Sequence, residues 1–242
     1  MNDGFDGPHG YSRFAATQWS LVIRATGDDS VARPALEKLC QAYWYPLYSF
    51  VRRKGATPHD AEDATQGFFL HIIGNRALTK VDRDLGTFRS FLLASLKNFL
   101  SHEYHRANAL KRGGGLSAVA LDARSAEERY ALEPVDELSP DRLYDRHWAL
   151  TLLERARVRL EAEYAAAGKR GLFDALQPAM AGSREDSYQK IAESLGMTEG
   201  AVKTAVHRLR ERHRATLRAE VAETVATPAN IDEELRFLVE SL

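Results

Sequence analysis

Between Ser187 and Arg218 the chain reads SYQKIAESLGMTEGAVKTAVHRLRERHRATLR, a stretch that admits few folds. Tyr188, Ile191, Ala192 and Leu195 recur at i, i+3, i+4 and i+7, the spacing of one apolar helix face. Gly196 stops that helix, Thr198 suits the N-cap of the next, and Glu199 suits its positive N-terminal end. In the second helix Val202, Ala205, Val206 and Leu209 face inward, while Lys203, Thr204, His207, Arg208, Arg210 and Arg214 face out. From Glu199 to Arg218 six cations stand against two acids. The spacing predicts a helix-turn-helix, whose first helix braces and whose second enters the major groove of DNA. A helical hairpin with a merely solvated arginine face is the competing reading.

The remainder of the chain has the same helical character, with no convincing alternating strand. At 242 residues it can hold one large domain or two small ones, and 44% apolar with 28% charged residues describes an ordinary folded protein. The net charge of −1 excludes a globally basic nucleic-acid coat but not a local basic patch. Cys40, the sole cysteine, excludes an intramolecular disulfide framework and a cysteine-rich zinc site. Lying on a face with Leu36, Leu39 and Tyr43, it reads as a small buried hydrophobe. No apolar run approaches the roughly 20 residues of a membrane span, and the opening MNDGFDGPHG has no signal-peptide pattern. A cytoplasmic protein with no membrane partner is expected.

Periodicity predicts helices over Thr17–Thr26, Ala32–Lys54, Pro58–Gly74, Phe88–Asn108, Asp141–Ala167, Gly171–Ala181, Tyr188–Leu195, Thr198–Val221 and Asp232–Leu242, with Pro46 bending or splitting the second. The fold class is all-α: two helical domains joined by a flexible linker, the second containing the helix-turn-helix. The expected divisions are a loose N-terminus at 1–13, a first domain at 14–108, a linker at 109–140, a second domain at 141–222 and a C-terminal extension at 223–242. In the extension, Asn230 and Glu233 suit a capping box, and Ile231, Leu235, Leu238 and Leu242 recur on one face. Five acids stand there against Arg236. Such an acidic amphipathic helix can regulate the basic helix in cis, brace its own domain, or receive another protein.

Two further helices carry chemistry. The one opening PHDAEDATQGFFLHII places Asp60, Glu62 and Asp63 in its first turns, where the helix dipole favours acids. Capping accounts for them as well as an interaction surface beside the apolar Ala64, Phe68 and Ile72. The next, FRSFLLASLKNFLSHEYHRANALKR, sets Phe88, Leu92, Leu96, Phe99 and Leu100 on a core face, with Phe91 and Leu93 left as extra apolar surface. Arg89, Lys97, Asn98, His102, His105 and Arg106 decorate the other side, and cations interleaved with aromatics suit a single nucleic-acid strand. A core helix with a solvated basic face explains the pattern equally. His102-Glu103-Tyr104-His105 is not HExxH, the glycine-rich stretches lack the ending of a phosphate loop, and no nucleophile context is present. No catalytic residue, metal ligand or cofactor is expected, and the protein is not read as an enzyme.

The ordered set resembles the extracytoplasmic-function sigma factors of bacterial RNA polymerase. The matching residues are Asp60-Ala61-Glu62-Asp63 with Gln66 and Phe69; Phe88-Arg89-Ser90-Phe91-Leu92 with Asn98; and Tyr188, Ile191-Ala192, Leu195-Gly196-Met197-Thr198, Val202-Lys203 and Arg208-Leu209-Arg210, spanning about Thr17–Glu220. TQWSLVIRA, WYPLYSFVRR and the long tail look like a subgroup with a C-terminal extension. The resemblance implies a promoter-specificity subunit that binds core polymerase, recognises the −35 and −10 elements and helps to melt DNA. Asp60, Glu62, Asp63 and Gln66 would dock on the clamp of the largest subunit, and the flap of the second-largest subunit is a further implied partner surface. Phe88, Arg89, Phe91, Lys97, Asn98, His102 and Arg106 would hold the unpaired −10 strand with a flipped base. Thr198, Lys203, Thr204, His207, Arg208 and Arg210 would read the −35 element. Promoter DNA is thus an implied partner, and an anti-sigma factor or regulatory kinase is a further partner class. Three positions depart from the family: Phe91 replaces a usual Trp, Gly67 a usual acid, and Ala205 a common Arg. The rivals are a helix-turn-helix regulator that is not a sigma factor, and an adaptor that binds polymerase without reading DNA.

Overall fold

The computed structural model describes residues 29–74, 87–107, 123–132, 138–181 and 185–242. The predicted helix Thr17–Thr26 and the first part of the linker lie outside them. The described residues form helices α1 (Asp29–Arg53), α2 (Pro58–Gly74), α3 (Phe88–Ala107), α4 (Ala123–Ala131), α5 (Pro140–Ala166), α6 (Arg170–Leu176), α7 (Glu185–Leu195), α8 (Glu199–Ala222) and α9 (Ile231–Glu240). Short 3₁₀ turns occupy Gln177–Ala181 and Pro228–Asn230. Among the described residues there is no strand, only a lone antiparallel bridge between Thr87 and Val225.

Proline chemistry shapes two of these elements. α1 is kinked at Tyr43 (φ −113°, ψ 17°), three residues before Pro46, whose ring and missing N–H break the ladder one turn back. The predicted helix Gly171–Ala181 instead changes to 3₁₀ geometry at Gln177, next to Pro178. Two helices are capped by side-chain hydroxyls. Ser139 Oγ accepts from Arg142 N at 3.3 Å with Pro140 at the first position of α5, and Thr57 Oγ1 accepts from Asp60 N at 3.1 Å ahead of α2.

The buried hydrophobic residues among those described gather into two cores. The larger joins Tyr43, Leu47 and Phe50 of α1, Phe68, Phe69 and Ile72 of α2, and Phe88, Phe91, Leu92 and Leu96 of α3 to Tyr144, Trp148 and Leu152 of α5. Val221, Val225, Ile231 and Leu238 belong to it too, so the C-terminal extension is part of the same packing as the first helices. The smaller core collects Leu160 of α5, Phe173 and Leu176 of α6, Ala192 of α7, and Val202, Val206 and Leu209 of α8. α5 and α8 run antiparallel through both, pinned where Glu220 takes Arg155 at 2.9 Å and Arg159 at 3.2 Å, and where Glu163 takes Arg212 at 3.0 Å.

α4 lies inside the stretch expected to be a flexible linker, yet it is docked on α1. Ala126 is buried, and Glu127 accepts two bonds from Arg52, both 2.9 Å, and a short one from Tyr48. Arg129 lies 3.9 Å over the Tyr45 ring. The Arg52 bonds hold the Glu127 carboxyl below its ordinary value of 4.5. A carboxylate lowered in this way stabilises the fold above that value and loses its effect as the pH falls through the depressed one. Glu127→Ala should therefore cost about 1–2 kcal/mol in urea melts at neutral pH. The difference from the unchanged protein should shrink at pH 3.

Candidate nucleic-acid interface

The turn between α7 and α8 is built as its sequence requires. Gly196 has φ +62°, a left-handed conformation that glycine adopts without the usual side-chain penalty. Its N–H donates to Glu193 O at 3.4 Å and that of Met197 to Ala192 O at 2.9 Å, the paired closure of a Schellman motif. Thr198 then takes extended geometry, and its hydroxyl accepts from Ala201 N at 3.3 Å. Val202, Val206 and Leu209 are buried, Ala205 packs beside them, and Tyr188, Ile191 and Met197 close the smaller core from the α7 side.

The outward cations of α8 fall into two groups that sequence spacing alone does not separate. Lys203, Thr204, His207 and Arg208 are exposed in its first half. Lys203 pairs with Glu199 at 2.8 Å, and Thr204 donates to Gly200 O at 2.9 Å. Arg210, expected to face a ligand, turns back instead. Its guanidinium donates to Ala179 O at 2.7 Å and Met180 O at 3.3 Å, satisfying carbonyls of the 3₁₀ turn. Arg214 pairs with Glu211 within the helix, while Arg212 pairs with Glu163 of α5 and Arg218 with Asp232 of α9. The first half presents an open polar face; the second half is largely engaged in ion pairs.

On α2 the core-facing side is formed by Ala61, Thr65, Phe68 and Phe69, and the acids lie off it. Asp60 and Asp63 are exposed and Glu62 is half-buried. Each has a local partner: Thr57 Oγ1 donates to Asp60 at 2.7 Å, Gln66 to Glu62 at 3.0 Å, and His59 lies 3.7 Å from Asp63. The apolar residues expected to flank them as a docking surface are used internally, since Phe68 and Ile72 are buried. Gly67 lets α3 come close: a Cβ there would meet the Phe99 ring at 3.4 Å.

The α3 residues separate more sharply. Phe88 is fully buried, as its core-face spacing predicts, and Phe91 is buried against it with ring centroids 6.4 Å apart, so Phe91 is not the extra surface that spacing suggested. Arg89 is held from three sides. Its Nη1 donates to Asp145 at 2.6 Å, its Nε and Nη2 to Glu234 at 3.0 and 3.4 Å, and its guanidinium carbon lies 3.7 Å over the Phe237 ring. Lys97 pairs with Asp141, and Asn98 is exposed. The side chains of His102, His105 and Arg106 lie outside the described ones. Asp145, Glu234 and Phe237 were missed as parts of this site. Their contacts with Arg89 reach across 56 to 148 residues of chain and carry no local signal.

The tail corrects two expectations. Asn230 has helical φ/ψ and makes no capping bond, so the capping box does not form; a 3₁₀ turn led by Pro228 delivers α9 instead. Leu242 lies beyond the helix and is exposed, whereas Ile231, Glu234 and Leu238 form the buried face. Among the described residues no helix is long and apolar enough to cross a membrane.

The chain is 27% identical over 205 residues to the ECF RNA polymerase sigma factor SigE of Mycolicibacterium smegmatis, an alignment that covers 85% of this chain and 70% of that protein. No family model matches the sequence, and no solved structure matches it.

Two neighbours on α8 should separate packing from recognition. Leu209→Ala should cost about 2–5 kcal/mol, the usual loss for a buried leucine. Arg208→Ala, on the exposed face, should stay within about 0.5 kcal/mol. Chemical denaturation of both variants measures the contrast.

Proposed function

We propose, on a likeness that supports the extracytoplasmic-function sigma family, that this chain is a promoter-specificity subunit of bacterial RNA polymerase. The carrying observation is the extent of that likeness. An alignment over 85% of the chain runs far beyond the 32 residues from Ser187 to Arg218, so it favours a sigma factor over a regulator that shares only a DNA-reading helix pair. A sigma factor breaks no covalent bond itself, which agrees with a sequence that offers no nucleophile or metal motif, and the role places the protein in the cytoplasm beside the polymerase.

On this reading α7 and α8 form the helix-turn-helix, with Lys203, Thr204, His207 and Arg208 turned toward the −35 major groove. Lys203 and Arg208 supply phosphate or base contacts, and Thr198 caps the helix whose N-terminal dipole faces the backbone. Arg210 acts by positioning, through its bonds to the 3₁₀ turn. Asp60, Glu62, Asp63 and Gln66 form an acidic, hydrogen-bonded ridge suited to a basic clamp surface of the polymerase. Arg89, Lys97 and Asn98 are the α3 groups that fit an unpaired −10 strand; Phe88 and Phe91 support that helix from beneath.

Retention of the chain by core polymerase, followed by run-off transcription from promoter DNA, tests the reading. A helix-turn-helix regulator that is not a sigma factor would bind duplex DNA without programming core polymerase. Replacing Asp60, Glu62 and Asp63 together by Lys should abolish retention while leaving the melt within about 0.5 kcal/mol per exposed site. Lys203→Ala or Arg208→Ala should weaken duplex binding and reduce its salt slope by about one unit per lost phosphate contact. Unchanged retention by the triple variant would remove α2 from the polymerase interface.

A further inference from the structure

Arg89 is the one cation of the proposed DNA-facing groups on α3 that is almost enclosed, its side chain 12% exposed. What encloses it has the chemistry of a nucleotide. A guanidinium grips a phosphate through two N–H bonds and stacks its flat face on a π system. Glu234 supplies the two-pronged oxyanion, at 3.0 and 3.4 Å, and the Phe237 ring supplies the π face at 3.7 Å. We propose that α9 is a built-in competitor for single-stranded nucleic acid at Arg89, with the Glu234 carboxylate in the place of a phosphate and the Phe237 ring in the place of a base.

Three features of the packing make this contact an exchangeable one. Glu234 and Phe237 sit three residues apart on one short helix, so they arrive and leave as a unit. Asp145, the third partner, belongs to α5 and stays with Arg89 when α9 departs, so the cation is never stripped of every counter-charge. α9 is also lightly anchored: it spans ten residues, its apolar attachments are chiefly Ile231 and Leu238, and its flank is tied to α8 by the exposed Arg218–Asp232 pair. A buried ion pair is a poor choice for a permanent brace, because apolar side chains of similar volume hold as well without desolvating charges. The same pair suits a surface that must be vacated for an anionic ligand.

The choice of ligand rests on the proposed sigma role; the intramolecular competition does not. A protein whose competent form is a minor population binds its ligand more weakly by that fraction, so weakening the latch should tighten binding. The test uses the full chain carrying Glu234→Gln and Phe237→Leu, both close in shape to the originals, with a short fluorescent single-stranded oligonucleotide read by anisotropy. About tenfold tighter binding than the unchanged chain is expected. Arg89→Ala placed in the same background should erase the gain. Unchanged affinity in a natively melting double variant overturns the proposal, and so does loss of a cooperative melt, which would make α9 a brace. Retention of the same variants by core polymerase is scored separately. Failure there in every form rejects the sigma reading, whereas the latch stands or falls on the oligonucleotide result.

Discussion

The stack of Tyr43 on Trp148 organises the molecule. The rings lie 3.8 Å apart and 15° from parallel, and Phe88 meets both at 6.0 Å, edge-on to Tyr43 and tilted to Trp148. Three helices distant in sequence, α1, α3 and α5, are thereby fixed at one point. The stack depends on the α1 kink, because Tyr43 itself carries the non-helical dihedrals. Desolvation pushes its buried phenol far above the ordinary range, so it stays neutral and acts as a large amphipathic plate. Among the described residues the indole N–H of Trp148 has no hydrogen-bond partner, a cost the surrounding aromatic packing has to offset.

From that point the arrangement spreads along α5. Tyr144, one turn before Trp148, gives its hydroxyl to Arg89 O at 3.0 Å, while Ser49 and His147 meet at 2.6 Å on the other side. α5 then continues past Leu152 to Leu160, where the second core begins. One helix therefore sets both the platform under α3 and the bed on which α8 lies. The exposed face of α8 is held directly by this rod, and the acidic side of α2 through α1.

Much of this was legible from spacing, and the reasons are local. The turn at Gly196, the cap at Thr198 and the inward set Val202, Val206 and Leu209 are decided by interactions within a few residues. The kink near Pro46 and the burial of Cys40 follow in the same way. What could not be read depends on partners distant in sequence. Arg210 resembles its outward neighbours until the 3₁₀ turn beneath it exposes carbonyls that need a donor. Phe91 looks like surplus surface until the core formed by α1, α3 and α5 covers it. Asn230 and Glu233 have the right letters for a capping box, but Pro228 imposes a tighter turn first. The sharing of α5 between two cores could not be read for the same reason: α5 has one continuous helical pattern, and nothing in it marks where its neighbours change.

The far end of α8 has a geometric consequence. The Phe88 N–H donates to Thr224 O at 2.9 Å, and Thr87 bridges Val225, so the start of α3 is stitched to the chain just past α8. Lys203 lies in the first turns of α8 and Thr224 two residues past its end, 21 residues on, which is about 32 Å at 1.5 Å per helical residue. At 3.4 Å per base step that is about nine base pairs of DNA axis. The stitched form is thus a ruler of fixed length: on the proposed function, groups at Lys203 and at the start of α3 are held roughly one turn of duplex apart. On that proposal, DNA elements set farther apart would be engaged together only after the two hydrogen-bonded ends have parted.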